Sequence, residues 1–167
     1  PSPSPAIEPA VAVGRVVVEP GPTKEPAATP TNPLAYTLGP AIALDGFDLS
    51  TTTVKPGGQV RLTLHWRDVA PLTNDFTVFV HILDATDKVV AQRDAQPGSG
   101  SRPTSSWFPG DVIVDSTVLE LPPGVPTGTY PIEVGMYNPG DGSRLPVVKD
   151  GQTAGDRIIL GRLEVVP

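Results

Sequence analysis

Gln59-Val-Arg-Leu-Thr-Leu-His-Trp-Arg67 is the stretch from which the fold can be read. Val60, Leu62, Leu64 and Trp66 fall on one side of an extended chain, and Arg61, Thr63, His65 and Arg67 on the other. A period of two over nine residues predicts a strand with one buried and one wet face. It follows the turn Pro56-Gly57-Gly58, and a further strand precedes that turn at residues 41–49. Downstream, residues 76–83 are apolar on both faces, as a central strand requires. Asp84-Ala-Thr-Asp-Lys88 reads as a hairpin loop, with residues 89–94 returning from it. Residues 95–110 form a long Gly/Ser/Pro loop that holds Trp107 and Phe108. Further strands are expected at 112–121, closed by Pro122-Pro123-Gly124, and at 129–137, 144–148 and 158–166. No segment sustains a helical period. About eight strands separated by turns predict an all-β, antiparallel β-sandwich over residues 34–167.

Outside that body lies an arm, residues 1–33. Residues 1–10 are rich in Pro, Ser and Ala, and 20–33 form a proline-rich tether. Between them Val11-Ala-Val-Gly-Arg-Val-Val-Val-Glu-Pro20 reads as a strand. It echoes the end of the chain, Ile158-Ile-Leu-Gly-Arg-Leu-Glu-Val-Val-Pro167, with Gly14, Arg15, Val18 and Pro20 matching Gly161, Arg162, Val165 and Pro167. A lone strand is not stable in water, so this one needs a partner sheet. An extended tether of this length reaches roughly 40 Å, about the width of such a domain. The arm is therefore expected to dock by β-strand addition through Val11, Val13, Val16, Val17 and Val18, on its own domain or on a neighbour.

Composition narrows the function. With 18 acidic and 12 basic residues the net charge is −6, which lacks the basic footprint of a nucleic-acid binder. No apolar run is long enough for a membrane span. The absence of cysteine removes disulfides, thiolate metal sites and thiol catalysis. A processed or excised piece is expected from the start at Pro1, and few amides with many loop prolines suggest a thermophile.

Catalytic constellations are missing. His65 and His81 have no metal-motif spacing, no GxSxG elbow occurs, and both histidines read as structural. No cofactor and no resident metal are expected. Asp84, Asp87, Asp141, Asp150 and Asp156 fall in turns, where Asp bonds its own backbone. Asn138 with Asp141, or Asp150 with Asp156, could contribute calcium ligands, but turn stabilisation is the simpler reading. Trp107, Phe108 and Tyr137 are candidate sugar-stacking aromatics; the competing reading makes Trp107 a core plug. Ser2, Ser4, Thr23, Thr29 and Thr31 are candidate O-glycan acceptors on the arm.

Several segments together carry a family resemblance: Leu44-Asp-Gly-Phe-Asp-Leu49, Leu62-Thr-Leu-His-Trp66, Phe76-Thr-Val-Phe-Val-His-Ile-Leu-Asp84, Val90-Ala-Gln92, Pro103-Thr-Ser-Ser-Trp-Phe-Pro-Gly110, Gly128-Thr-Tyr-Pro-Ile-Glu-Val-Gly-Met-Tyr137 and Arg144-Leu-Pro-Val147. The body resembles immunoglobulin-like β-sandwich modules at the extracytoplasmic ends of some bacterial membrane glycosyltransferases and surface proteins. That resemblance implies an accessory module outside the cytoplasm with no catalytic residue of its own. It also makes segment 11–19 look like the closing strand of a preceding module. The first expectation is thus a non-catalytic extracellular subunit of a cell-surface fibre or array that self-associates through its arm. The second is a carbohydrate-binding accessory module of a cell-envelope protein.

Overall fold

A computed structural model describes residues 29–167. The predicted strand at 11–19, with Val11, Val13, Val16, Val17 and Val18, lies outside the described residues, as do Ser2, Ser4 and Thr23. The described chain runs through β1 (Asn32–Leu38), β2 (Ile42–Leu49), β3 (Thr53–Val54), β4 (Gln59–Asp68), β5 (Thr77–Leu83), β6 (Val89–Ala95), β7 (Val112–Glu120), β8 (Gly128–Tyr137), β9 (Val147–Lys149), β10 (Gln152–Thr153) and β11 (Ile158–Val165). Two short 3₁₀ turns, Pro97–Gly100 and Thr104–Ser106, interrupt the loop before β7. The fold is all-β.

The strands form two sheets. The first has the order β10-β9-β1-β2-β4-β7 and the second β3-β11-β8-β5-β6. Neighbours pair antiparallel except β3 and β11, which run parallel. The alternation read in the opening stretch builds the core. Val60, Leu62, Leu64 and Trp66 are fully buried and share one apolar cluster with Val78, Val80 and Ile82 of β5 and Ile132, Val134 and Met136 of β8. Burying each such side chain contributes about 1.5–3 kcal/mol relative to exposure.

Three local expectations are corrected. The tether ends earlier than its composition implies: β1 begins at Asn32 and pairs with both β2 and β9, despite Pro33. A register shift between Pro33 and Tyr36 accommodates the proline, which has no N–H to give a ladder. The strand expected at 144–148 is split. Arg144 bridges Tyr137 of the second sheet, whereas β9 pairs with β1 of the first. The outer face of β4 is not wet throughout, because His65 is buried. His65 stands opposite Gly46. A Cβ on Gly46 would collide with the Pro30 ring and the Asn32 carbonyl, so the chain entering β1 lies directly over this point.

Candidate functional site

The outer face of the second sheet is where this fold departs from the pattern of polar side chains towards water. β5 sends Val78, Val80 and Ile82 into the core, so Thr77, Phe79 and His81 project outward. In register beside them on β8 stand Tyr137, Gly135 and Glu133, and on β6 Asp94 lies opposite Phe79. Alternation and register alone therefore gather these six side chains onto one patch.

Gly135 is needed for the packing. A Cβ there would strike the Phe79 ring, so only glycine lets that ring lie across β8. The Arg144 guanidinium covers Phe79, 4.2 Å from its centroid, and leaves the ring 1% exposed. His81 lies 5.0 Å and Tyr137 6.4 Å from Phe79, ring centre to ring centre.

A charged network runs through the patch. His81 Nδ1 is 2.8 Å from Glu133 Oε1, and its Nε2 is 3.3 Å from Asp94 Oδ1. A neutral imidazole can donate to only one of these carboxylates, whereas the protonated ring donates to both. Arg157 donates to Glu133 Oε2 at 2.7 Å and to Asp87 Oδ2 at 3.2 Å. Glu133, 3% exposed, thus has both oxygens satisfied, which is the condition under which a buried carboxylate is tolerated. Its bond to Arg157 also raises the guanidinium's pKa further. Burial first, then the charge of Asp94 that its phenol hydrogen-bonds, push the Tyr137 hydroxyl up.

Phe79, His81, Asp94, Tyr137, Gly142 and Arg144 line a concavity of about 170 Å³. Its lining sets the Tyr137 ring beside the Asp94 carboxylate and the Arg144 guanidinium. Arg144 also faces Asp156 at 3.7 Å, and its side chain stays 35% exposed. Asp94 meets both His81 and the Tyr137 phenol, and a carboxylate has acceptor capacity beyond two such contacts.

Of the candidate aromatics, the structure brings only Tyr137 into this concavity. Trp107 is buried, 3% exposed, and donates its indole N–H to the Arg102 carbonyl at 2.9 Å, so its ring fills the core. Phe108 is 72% exposed on the loop before β7 and is not part of the lining. Thr29 and Thr31 are exposed, and the Thr31 amide donates to Asp48 Oδ1 at 2.7 Å. The sequence singled out none of Phe79, Asp94 and Arg144, which line this candidate site, and gave His81 a structural reading that its contacts to Glu133 and Asp94 are compatible with. The available signal was a histidine on a strand otherwise apolar on both faces. Of the loop carboxylates, Asp84 Oδ1 accepts from the Thr86 and Lys88 amides and Asp141 Oδ1 from the Ser143 amide, whereas Asp87 pairs with Arg157 and Asp156 faces Arg144. Among the described residues no group of three His, Asp or Glu side chains is arranged to hold a metal ion; His81, Glu133 and Asp94 meet through contacts that occupy both ring nitrogens.

No family model matches the chain, and no curated protein matches it in sequence. Similarity appears among solved structures. The C-terminal domain of wzt is 13% identical, with 79% of this chain covering 77% of that one at a TM-score of 0.56. Spo0M, a sporulation control protein from Bacillus subtilis, is 18% identical, with 76% of this chain covering 50% of that one at a TM-score of 0.39. The likeness to the wzt domain is one of fold. It carries the family resemblance as far as an all-β, two-sheet body and no further into the immunoglobulin-like class.

Proposed function

We propose that this chain is a non-catalytic carbohydrate-binding module whose site is the concavity on the outer face of the second sheet. The observation that carries the reading is the composition of that lining. Arg144 offers a planar set of donors, Asp94 offers acceptors, and Tyr137 offers a ring face within one small hollow. Sugars are recognised by that combination: hydroxyl pairs bridge charged side chains, and C–H faces pack on aromatic rings. At about 170 Å³ the hollow is smaller than the roughly 300–1,000 Å³ pockets that enclose drug-sized ligands. It suits one terminal sugar ring better than a long chain. Phe79 serves as the platform under Arg144 and does not touch the ligand, because the guanidinium covers it.

The same network argues for binding without catalysis. A glycosidase needs two carboxyl groups free to work on opposite sides of one bond. Glu133 is locked between His81 and Arg157, which leaves Asp94 as the one carboxylate lining the hollow. A glycan-binding role goes with the extracytoplasmic side of a membrane, where envelope glycans are found. A surface-fibre subunit would instead depend on residues 11–19, outside the described residues.

A glycan array followed by calorimetry on the full chain tests the proposal. Arg144→Ala and Asp94→Ala should each weaken the best ligand by at least about tenfold, the loss of one charge-assisted hydrogen-bond set. Phe108→Ala should leave affinity unchanged. Binding that survives both site variants, or no glycan bound at millimolar concentration, would sink it.

A further inference from the structure

A second hollow lies on the same outer face of the second sheet. Asp84 and Asp87 of the β5–β6 turn, Thr129 and Pro131 of β8, and Arg162 of β11 line a concavity of about 280 Å³. β8 joins the two hollows. Tyr137 lines the first and Pro131 the second, roughly 20 Å apart along the strand. Arg162 reaches this face through a bulge. β11 buries Ile158, Leu160, Leu163 and Val165, so its inward phase slips where the register with β8 shifts between Ile159 and Gly161. With an unbroken period of two, residue 162 would share the inward face of Leu160. The extra residue instead leaves Arg162 exposed beside Pro131.

The charges that line the two hollows are unequally committed. Asp84 Oδ1 accepts from the Thr86 amide and hydroxyl and from the Lys88 amide. Asp87 Oδ2 accepts from Arg157. Neither carboxylate holds Arg162, and among the described residues no other group does. In the first hollow Asp94 meets His81 and Tyr137, while Arg144 reaches Asp156 only at 3.7 Å. Each hollow therefore presents an arginine as its least committed charge. The ground between them is fixed. Arg157 bonds Asp87 of one hollow and Glu133, and Glu133 bonds His81 of the other. Ile159, 48% exposed, stands beside Glu133 and adds an apolar surface to the path.

We infer that the two hollows form one binding face for an acidic oligosaccharide, its terminal ring in the first hollow and a carboxylate or sulfate ester further along the chain on Arg162. The inference rests on the carbohydrate reading of the first hollow and adds the length and charge of the ligand. The rings between the hollows run along β8, past Arg157 and Ile159. A guanidinium takes either anion through paired N–H donors. Because Arg162 is exposed, its contact weakens as salt is added.

Calorimetry on the full chain tests length and charge separately. Length series of galacturonate oligomers, sulfated galactan oligomers and neutral galactan oligomers are titrated. In at least one acidic series, affinity should rise at least about tenfold once the oligomer spans both hollows, and the neutral series should show no such rise. Added salt should shrink the rise. Arg162→Ala should cancel it and leave binding of a single ring unchanged, and Arg162→Gln, which keeps the length of the side chain, should do the same. Arg144→Ala should weaken short and long oligomers alike. Affinity that depends on Arg144 but not on length overturns the inference and leaves the first hollow's reading intact. So does a rise with length that the neutral series shares, or one that both Arg162 variants retain. Absence of binding in every series, single rings included, overturns both readings.

Discussion

The two sheets each carry one histidine on the outer face, and the two are treated differently. On the first sheet His65 has a single partner, Asp48 Oδ2 at 2.6 Å, and its Nδ1 is buried without one. Chain segment 30–31 crosses this point and pins itself to the same Asp48. On the second sheet His81 has a carboxylate at each nitrogen and borders an open hollow. One face is closed by the molecule's own chain, and the other has a polar network with room beside it. A polar network already assembled beside a hollow suits the proposed glycan site, since its charges need little rearrangement to meet a ligand. The closed face shows what the same residue type does when it serves only to fasten the chain.

Breaking each face should give unequal results. Glu133→Ala removes the centre of the second sheet's network, leaving His81 Nδ1 and an Arg157 donor without their acceptor. Loss of one member of a buried charge pair costs about 3–5 kcal/mol, and the partial exposure of Arg157 places the expectation at about 3 kcal/mol by urea denaturation. A cost below about 1 kcal/mol would show that the network is not stabilising. Gly135→Ala comes next. The added methyl meets a Phe79 ring held between β8 and Arg144, with the Asp156 carbonyl 3.1 Å away on the other side. Overpacking of this kind costs about 1–3 kcal/mol. On the closed face Gly46→Ala meets Pro30, which can lift because it precedes β1, although the Asn32 carbonyl is less free to move. The expected cost is smaller than for Gly135→Ala, and it should come with loss of the Thr31–Asp48 bond. A larger cost at Gly46 would reverse the ranking of the two faces.

The sequence carried the fold further than the site. The opening stretch placed four core residues correctly because burial on one face leaves a period of two in the residues themselves. The turns at 84–88 and 138–143 were legible for the same local reason, since Asp and Asn cap their own backbone there. β1 was not legible: Asn32-Pro33 looks like tether, and only pairing with β2 and β9, set by residues far along the chain, makes it a strand. The hollow was less legible still. Phe79, Asp94, Tyr137 and Arg144 meet through cross-strand register and one bridge, Tyr137 to Arg144, neither of which leaves a spacing in the sequence. Tyr137 was singled out only because it ends a strand beside a turn. Trp107 stood out as an aromatic in the longest internal loop, but its indole N–H finds a carbonyl inside that loop and its ring is buried.

The smallest expected effect belongs to the fastening on the first sheet, and it is read by pH. The hydroxyl and amide of Thr31, and then His65, hold the Asp48 carboxyl down to about 2 from an ordinary value of 3.8. A carboxyl with a lower value in the folded state binds fewer protons there than in the unfolded chain. Its contribution is therefore complete above pH 3.8 and disappears as pH falls towards about 2. The group is a third exposed, so solvent screening keeps the contribution small. Thermal melts from pH 5 to pH 2 should show a steeper loss of Tm for the natural chain than for Asp48→Asn. Gly46→Ala, by lifting residues 30–31, should flatten the profile in the same way. If Asp48→Asn and the natural chain lose Tm in parallel, the segment over His65 is held by packing of Pro30 and not by the carboxylate.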